Sequence, residues 1–212
     1  MTDETDLARL ARIGDSVFAV VVTLLVYRVR LPSQEALATM AIPALLPFLT
    51  DLGTVVTSFV VASLFWMGHW RVFRRMRRAD VRFVALNFVF LGTLVLLPIS
   101  TSLMGITYGQ GSGALAYCIN LFLLAAATTA FRGHARRLEP QAFGTVAVLL
   151  SPTLLMAVFG GAAVFVTWRP WLAQALLSAA LLAPLVETRW GMGRLGRELP
   201  LPAERSRADA LR

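Results

Sequence analysis

Polar and apolar residues alternate along one side of the first long apolar stretch. Ser16, Val20, Thr23, Leu24 and Tyr27 are separated by one to four residues, and this spacing places them on one face of a helix. Copies of this face brought together by symmetry would enclose a narrow path with apolar constrictions that exclude water. Spacing alone favours ordinary packing between helices, and the ion path is the alternative.

Asp15 stands at the edge of the short charge-free part of this stretch. Residues 16–27 separate it from Arg28, and twelve helical residues extend about 18 Å, against a hydrocarbon core of roughly 30 Å. An ionised carboxylate at membrane depth is costly unless it is paired or hydrated. We therefore expect this helix to lie among other helices and beside water.

Further polar residues fall inside or beside later apolar stretches. His69 is expected to be a structural histidine bonded to Asn87 or Asp15, with pH sensing as the alternative. His134 is the only other histidine and no cysteine is near it, so no zinc site is expected. Asp51 is expected to cap the start of the second helix, with attraction of cations at a pore mouth as the alternative.

The composition indicates a membrane protein. The chain has 212 residues, a formal net charge of +8, 57% hydrophobic residues and 15% charged residues, whereas soluble domains have about 25% charged residues. The basic residues are arginines that cluster between apolar runs, which fits membrane topology better than nucleic-acid binding. The single Cys118 excludes an internal disulfide.

The apolar pattern predicts an all-α, polytopic membrane protein with one six-helix unit over residues 1–190. The helices are expected near residues 8–29, 46–72, 83–105, 112–132, 142–166 and 170–189. In the connection 31–45, two prolines disfavour helix and predict a short interfacial turn. Residues 191–212 are Arg-rich and are expected to form a cytoplasmic tail.

The distribution of arginine predicts the orientation of the bundle. One side of the predicted membrane holds only Arg28, Arg30 and Arg169, and the remaining arginines lie on the other side. Because arginine is enriched on the cytoplasmic side, both termini are expected there. A cleaved signal peptide is the alternative for the first segment, but the acidic residues within 1–6 disfavour it.

Two stretches resemble the transmembrane protein 175 family of potassium channels. The first stretch is Arg9-Leu-Ala-Arg-Ile-Gly-Asp15-Ser-Val-Phe-Ala-Val-Val-Val-Thr23-Leu-Leu. It is similar to that family's Arg-x-x-x-Phe-Ser-Asp motif and to the Thr-Leu-Leu run that follows the motif. The second is Phe65-Trp66-Met-Gly-His69-Trp-Arg71-Val-Phe73, then a basic loop, Asp80, Asn87 and Leu96-Leu97-Pro98. The resemblance covers about residues 9–30 and 60–100, and the last three predicted helices agree only in number and topology.

The resemblance implies a potassium channel of the prokaryotic plasma membrane that assembles as a homotetramer. K⁺, and protons as a second ion, would pass through a central pore lined by four first helices. Val20, Leu24 and Tyr27 would form its apolar constriction, with Thr23 between them. These residues coincide with the face already inferred from spacing, so the resemblance favours the ion path over packing.

The resemblance also implies roles for the motif residues and for partners. Arg9, Asp15, His69 and Asn87 would form a network that holds or gates the first helix. No cofactor and no metal site are implied, because K⁺ is the permeant ion. The expected partners are further copies of the chain and membrane lipids, with no nucleic acid.

The sequence departs from the family motif at two positions. Ile13 stands where the motif has Phe, and Gly14 stands where it has Ser. Ser16 lies two residues further along, a rotation of about 200° around the helix, so its hydroxyl cannot replace the missing one. Tyr27 occupies a position where an aliphatic residue is usual, so the size of the constriction is expected to differ.

Two other functions remain open from the sequence. A secondary or proton-coupled transporter would show internal repeats and broken helices; no repeat is evident, although Pro152 could break the fifth helix. A membrane enzyme would need clustered acids, bases or metal ligands, and only the group of Asp15, His69 and Asn87 is available. Oligomeric symmetry would favour the channel over both.

Overall fold

The computed structural model is all-helical throughout its described part. It describes residues 4–27, 29–40, 42–107, 111–143, 145–166 and 168–169, with backbone alone for 4–5 and 145–152. The helices are α1 (Glu4–Val26), α2 (Gln34–Thr39), α3 (Ile42–Phe73), α4 (Val81–Val95), α5 (Leu97–Ile106), α6 (Gly111–Leu138) and α7 (Thr145–Phe165). The predicted helix 170–189 and the predicted tail 191–212 lie outside the described residues.

Three helical segments of the described part are long and apolar enough to cross a membrane. They are Ile42–Phe73, Val81–Ile106 and Gly111–Leu138, which correspond to the second, third and fourth predicted helices. The first predicted helix is present as α1, but it is not among these three. Charged residues occupy the first half of α1, so its apolar part is short.

The segment predicted as one helix over 83–105 is interrupted at Leu96. Pro98 is the cause, because proline lacks the N–H that a continuous helix would need and clashes with the preceding turn. The side-chain amide of Asn120 donates a 3.0 Å hydrogen bond to the carbonyl of Thr93, in the last turn of α4. Pro152, which could have broken the fifth predicted helix, does not do so, since α7 continues through that position.

The connection between α1 and α3 differs from the expectation at its second proline. It contains the short helix α2, which Ser33 caps by accepting a hydrogen bond from the backbone N–H of Ala36. However, α3 begins at Ile42 and includes Pro43 in its first turn, where a missing N–H costs little. Asp51 therefore lies in the interior of α3, and the expectation that it caps this helix was wrong.

The bundle is organised around α6, which packs against α4, α5 and α7, while α1 packs against α3, α4 and α5. Two buried clusters of aliphatic and aromatic side chains fill the spaces between these helices. Hydroxyl groups connect three helices inside this core: Ser58 of α3 is hydrogen-bonded to both Tyr117 and Thr101. Asn120 also joins helices, as expected for an amide inside a membrane bundle.

Candidate functional site

Helix α1 has one buried face and one uncovered face. Its buried side chains include Leu10, Phe18, Val21 and Leu25, which pack into the core. The opposite face, here called the α1 stripe, consists of Ser16, Val20, Thr23, Leu24 and Tyr27, all of them exposed. The exposed fractions reach 56% for Val20, 46% for Leu24 and 83% for Tyr27. The five residues predicted from spacing thus share a face that the described part of the chain leaves open.

The two hydroxyl groups of the α1 stripe use their hydrogens within the helix. Ser16 Oγ donates to the carbonyl of Arg12 at 2.9 Å, and Thr23 Oγ1 donates to the carbonyl of Val20 at 2.8 Å. Both hydroxyl oxygens keep free lone pairs. The stripe therefore offers oxygen acceptors suited to a cation, separated by apolar side chains.

Gly14 lies on the buried face, directly against the imidazole of His69. A Cβ atom added at Gly14 would approach His69 Cε1 to 2.6 Å, which is closer than two carbon atoms can pack. A serine at this position would meet the same obstruction. The packing of His69 therefore gives a steric reason for glycine where the family motif has serine.

His69 is buried in a cluster of aromatic rings. Its imidazole contacts the rings of Phe18, Phe73, Phe90 and Phe131, with centroid distances between 4.7 and 5.8 Å. Its Nε2 atom is hydrogen-bonded to Asn87 Oδ1 at 2.8 Å. Among the described residues, His69 Nδ1 and Asn87 Nδ2 have no hydrogen-bond partner. The histidine thus connects α3 to α4 and supports α1 by packing.

Asp15 and Arg9 do not join the pair formed by His69 and Asn87. Trp66 donates a 2.9 Å hydrogen bond from Nε1 to Asp15 Oδ1, and both side chains are exposed. Arg9 is exposed and forms no hydrogen bond or ion pair with a described residue. Within the described residues the four predicted motif residues therefore do not form one network: His69 pairs with Asn87, Asp15 pairs with Trp66 instead, and Arg9 contacts none of the other three through a hydrogen bond or ion pair.

An ion pair that the sequence reasoning missed holds the other end of α1. Arg30 donates from Nε and an Nη atom to the two carboxylate oxygens of Asp51, at 2.7 and 2.6 Å. The same Nη atom donates to the carbonyl of Gly105, in the last turn of α5. These three residues form what we call the Arg30–Asp51 clasp. The signal was a carboxylate within an apolar helix, which requires a partner.

No group of three or more His, Cys, Asp or Glu side chains that could hold a metal ion comes together in the part of the chain that the structure describes.

Asp80 lies where α3 is joined to α4. It accepts hydrogen bonds from the Phe83 N–H at 2.7 Å and from His134 at 2.8 Å. The hydrogen bond from Phe83, followed by that from His134, holds the pKa of Asp80 below its ordinary value.

Comparison with known proteins identifies the region that contains these residues. Residues 9–98 match the family described as the endosomal/lysosomal potassium channel TMEM175. These 90 residues are similar to the TMEM175 family and make up about two fifths of the chain. The matched region runs from Arg9 in α1 to Pro98 at the start of α5, and it contains the α1 stripe and all four motif residues.

Two bacterial proteins named potassium channels are similar to this chain. The one from Chamaesiphon minutus is 27% identical over 103 residues, which are 48% of this chain and 51% of the relative. The one from a Chryseobacterium species is 25% identical over 133 residues, which are 63% of this chain and 67% of the relative. The chain thus spans about half the length of the first relative in this comparison.

A solved structure resembles the fold of this chain over a longer stretch than the matched residues 9–98. The crystal structure of a "lysosomal potassium-selective channel TMEM175 homolog" from Chamaesiphon minutus superposes with a TM-score of 0.74 at 21% sequence identity. The superposition covers 88% of this chain and 99% of that protein. This likeness supports the fold beyond residue 98, where the family match ends.

Proposed function

We propose that this chain is a potassium channel of the prokaryotic plasma membrane. Four copies would assemble with their α1 helices around a central axis, and K⁺ would move down its gradient between them. The observation that carries the proposal is the division of α1 into a buried face and the uncovered α1 stripe. The resemblance suggests four copies, the apolar pattern suggests six spans, and the arginine distribution suggests that both termini are cytoplasmic.

The chemistry of the α1 stripe fits ion passage. The hydroxyl oxygens of Ser16 and Thr23 can accept a partly dehydrated cation, because their hydrogens are held by backbone carbonyls. Apolar rings formed by Val20, Leu24 and Tyr27 would exclude water when they approach one another, which closes a pore by dewetting. Protons are the second ion that such a path would carry.

The motif residues would act by positioning α1. Packing of Gly14 against His69 fixes the buried face of the helix, and the Asp15–Trp66 hydrogen bond attaches it to α3. The Arg30–Asp51 clasp holds the segment that follows α1. With both ends attached, the α1 stripe keeps a defined direction.

Potassium flux into proteoliposomes tests this proposal. We expect the wild-type protein to carry K⁺ and Leu24→Ala to change the rate at least severalfold, because a smaller side chain widens the apolar ring. Leu123→Ala on α6 is the matched control, since Leu123 is 43% exposed and Leu24 is 46% exposed. The control should conduct like the wild type.

The same assay separates the channel from the alternative functions. If the folded, tetrameric wild type carries neither K⁺ nor H⁺, the channel proposal fails. If a monomer carries K⁺ only in exchange with protons or together with another solute, a secondary or proton-coupled transporter replaces it. Equal effects of Leu24→Ala and Leu123→Ala would contradict a pore lined by α1.

A further inference from the structure

An open cavity of about 650 Å³ lies between the start of α4 and the end of α6, away from the α1 stripe. The residues that line this α4–α6 groove are Arg82, Ala85, Leu86, Thr129, Ala130, Gly133, His134 and Arg137. Its volume lies within the range of about 300–1,000 Å³ that is typical of small-ligand sites. None of these residues contributes to the pore proposed above.

Two arginines form the charged rim of the groove. Arg82 lies in the first turn of α4 and Arg137 in the last turn of α6, and both are exposed. Neither guanidinium has a hydrogen bond or an ion pair with a described residue. Guanidinium groups bind phosphate oxygens with strong, charge-assisted hydrogen bonds. The two arginines of the rim can therefore bind an anion, and the described residues do not provide one.

The charged groups near the rim do not neutralise these arginines. Asp80 is the nearby carboxylate, and it is engaged by His134 Nε2 at 2.8 Å and by the backbone N–H of Phe83. Glu139 lies 3.9 Å from Arg78, which also donates to the last carbonyl of α6. The carboxylates at this end of the bundle thus have their own basic partners.

The floor of the groove is lined by apolar side chains, two of which are alanines. Ala85, Leu86 and Ala130 line it, about one turn from Arg82 on α4 and about two turns from Arg137 on α6. The hydroxyl of Thr129 donates to the carbonyl of Ala125 within its own helix, so its hydrogen is not available to a ligand. A ligand that fits has an anionic end at the helix termini and an apolar part along the helices.

We propose that the α4–α6 groove binds an anionic phospholipid. Its phosphate would be held between Arg82 and Arg137, and the beginning of an acyl chain would cover the alanine floor. Basic pockets between transmembrane helices at the cytoplasmic side suit such headgroups. Free inorganic phosphate would satisfy the arginines but would leave the apolar floor uncovered, so the lipid is the occupant that matches both halves of the groove.

Lipid-dependent thermal stability of the full chain tests this site. In detergent, we expect phosphatidylglycerol to raise the melting temperature of the wild type and phosphatidylcholine to raise it less. Each basic residue near an anionic headgroup contributes about a fivefold factor in affinity, so Arg82→Gln with Arg137→Gln should raise the half-saturating phosphatidylglycerol concentration about thirtyfold. Arg77→Gln with Arg136→Gln removes the same charge outside the groove and should leave the titration unchanged.

A second variant tests the apolar floor. Ala130→Phe fills the groove and keeps every charge, and Ala130 is exposed, so the fold tolerates the larger side chain. This variant should lose the stabilisation by phosphatidylglycerol as well. Equal titrations for the wild type and the groove variants would overturn the proposal. Stabilisation of the wild type by inorganic phosphate alone, at millimolar concentration, would also overturn it, because the site would then be a phosphate site.

Discussion

The imidazole of His69 occupies the space that any residue larger than glycine would need at position 14. The sequence showed that Gly14 departs from the family motif, but it could not show why, because the obstruction comes from a side chain 55 positions later. His69 itself is held by aromatic rings and by Asn87. Its predicted bond to Asn87 is present, and the pH-sensing role remains untested.

Gly14→Ala is expected to destabilise the protein by about 1–3 kcal/mol, because the added methyl group overpacks the contact with His69. The measurement is the melting temperature in detergent. Gly92→Ala is the matched control, since a Cβ at Gly92 meets nothing within 4 Å and alanine favours a helix by about 1 kcal/mol. In a His69→Ala background, Gly14→Ala should lose most of its effect. An unchanged effect in that background would contradict the steric explanation.

Ionised Asp80 contributes to the stability of the folded protein, and the direction of the pH dependence follows from its pKa. The hydrogen bonds from Phe83 and His134 lower the pKa of Asp80 in the folded state. The contribution is therefore complete above the ordinary aspartate pKa of about 3.9 and is lost as the pH falls through the lowered value. Asp80→Ala should melt below the wild type at pH 7, and the difference should shrink below pH ~4. A difference that stays constant down to pH ~2 would contradict this account.

At the scale of elements, the helix positions predicted from the apolar pattern agree well with the structure. The predicted effect of prolines on these helices agrees less well. The predicted segments 46–72 and 112–132 correspond to α3 and α6, each of which is longer in the structure. Pro98 interrupts the third predicted segment, whereas Pro152 does not break α7. A proline alone does not decide between these outcomes. At the Pro98 interruption, Asn120 donates a hydrogen bond to the carbonyl of Thr93, and such a tertiary contact is not visible in a local window of sequence.

The sequence showed a carboxylate, Asp51, in an apolar stretch, but it could not show that Arg30 is its partner, because the two residues are 21 positions apart and meet only after the chain reverses through α2. Asp51 was expected at the start of a helix, and the earlier start of α3 removed that role. Spacing within one helix did predict the α1 stripe, since a single period decides which side chains share a face. Local patterns thus predicted the stripe, and only the fold showed what holds it.

Breaking the clasp should destabilise the protein. Asp51→Asn or Arg30→Gln is expected to cost about 1–3 kcal/mol, less than a fully buried pair, because the Arg30 side chain is 41% exposed. The double variant should cost less than the sum of the two single variants, as measured by a cycle of melting temperatures. Glu35→Gln on the exposed helix α2 is the control and should have no effect. Strict additivity would mean that the two side chains do not interact in the protein.

At the scale of the whole molecule, the hydroxyl groups and apolar side chains of the α1 stripe suit contact with a partner copy and with a water-filled path. The proposed homotetramer provides both, because four stripes facing one axis would surround the ions while the other helices face lipid. Native mass spectrometry of the detergent-solubilised chain should show four copies of the 23.1 kDa subunit. A protein that stays monomeric at every concentration while it conducts K⁺ would contradict the proposed pore.

The most direct test of the central claim, that the α1 stripe lines the pore, is block of potassium flux by Ag⁺ at an introduced cysteine. The only native cysteine, Cys118, is buried, so the wild type should be insensitive. We expect Ag⁺, a monovalent cation of roughly the size of K⁺, to enter the pore and abolish flux through Leu24→Cys. Leu123→Cys on α6 has a similar exposed fraction and should conduct normally in the presence of Ag⁺. Normal flux through Leu24→Cys with Ag⁺ present, in a protein shown to be folded and conducting, would contradict a pore lined by α1.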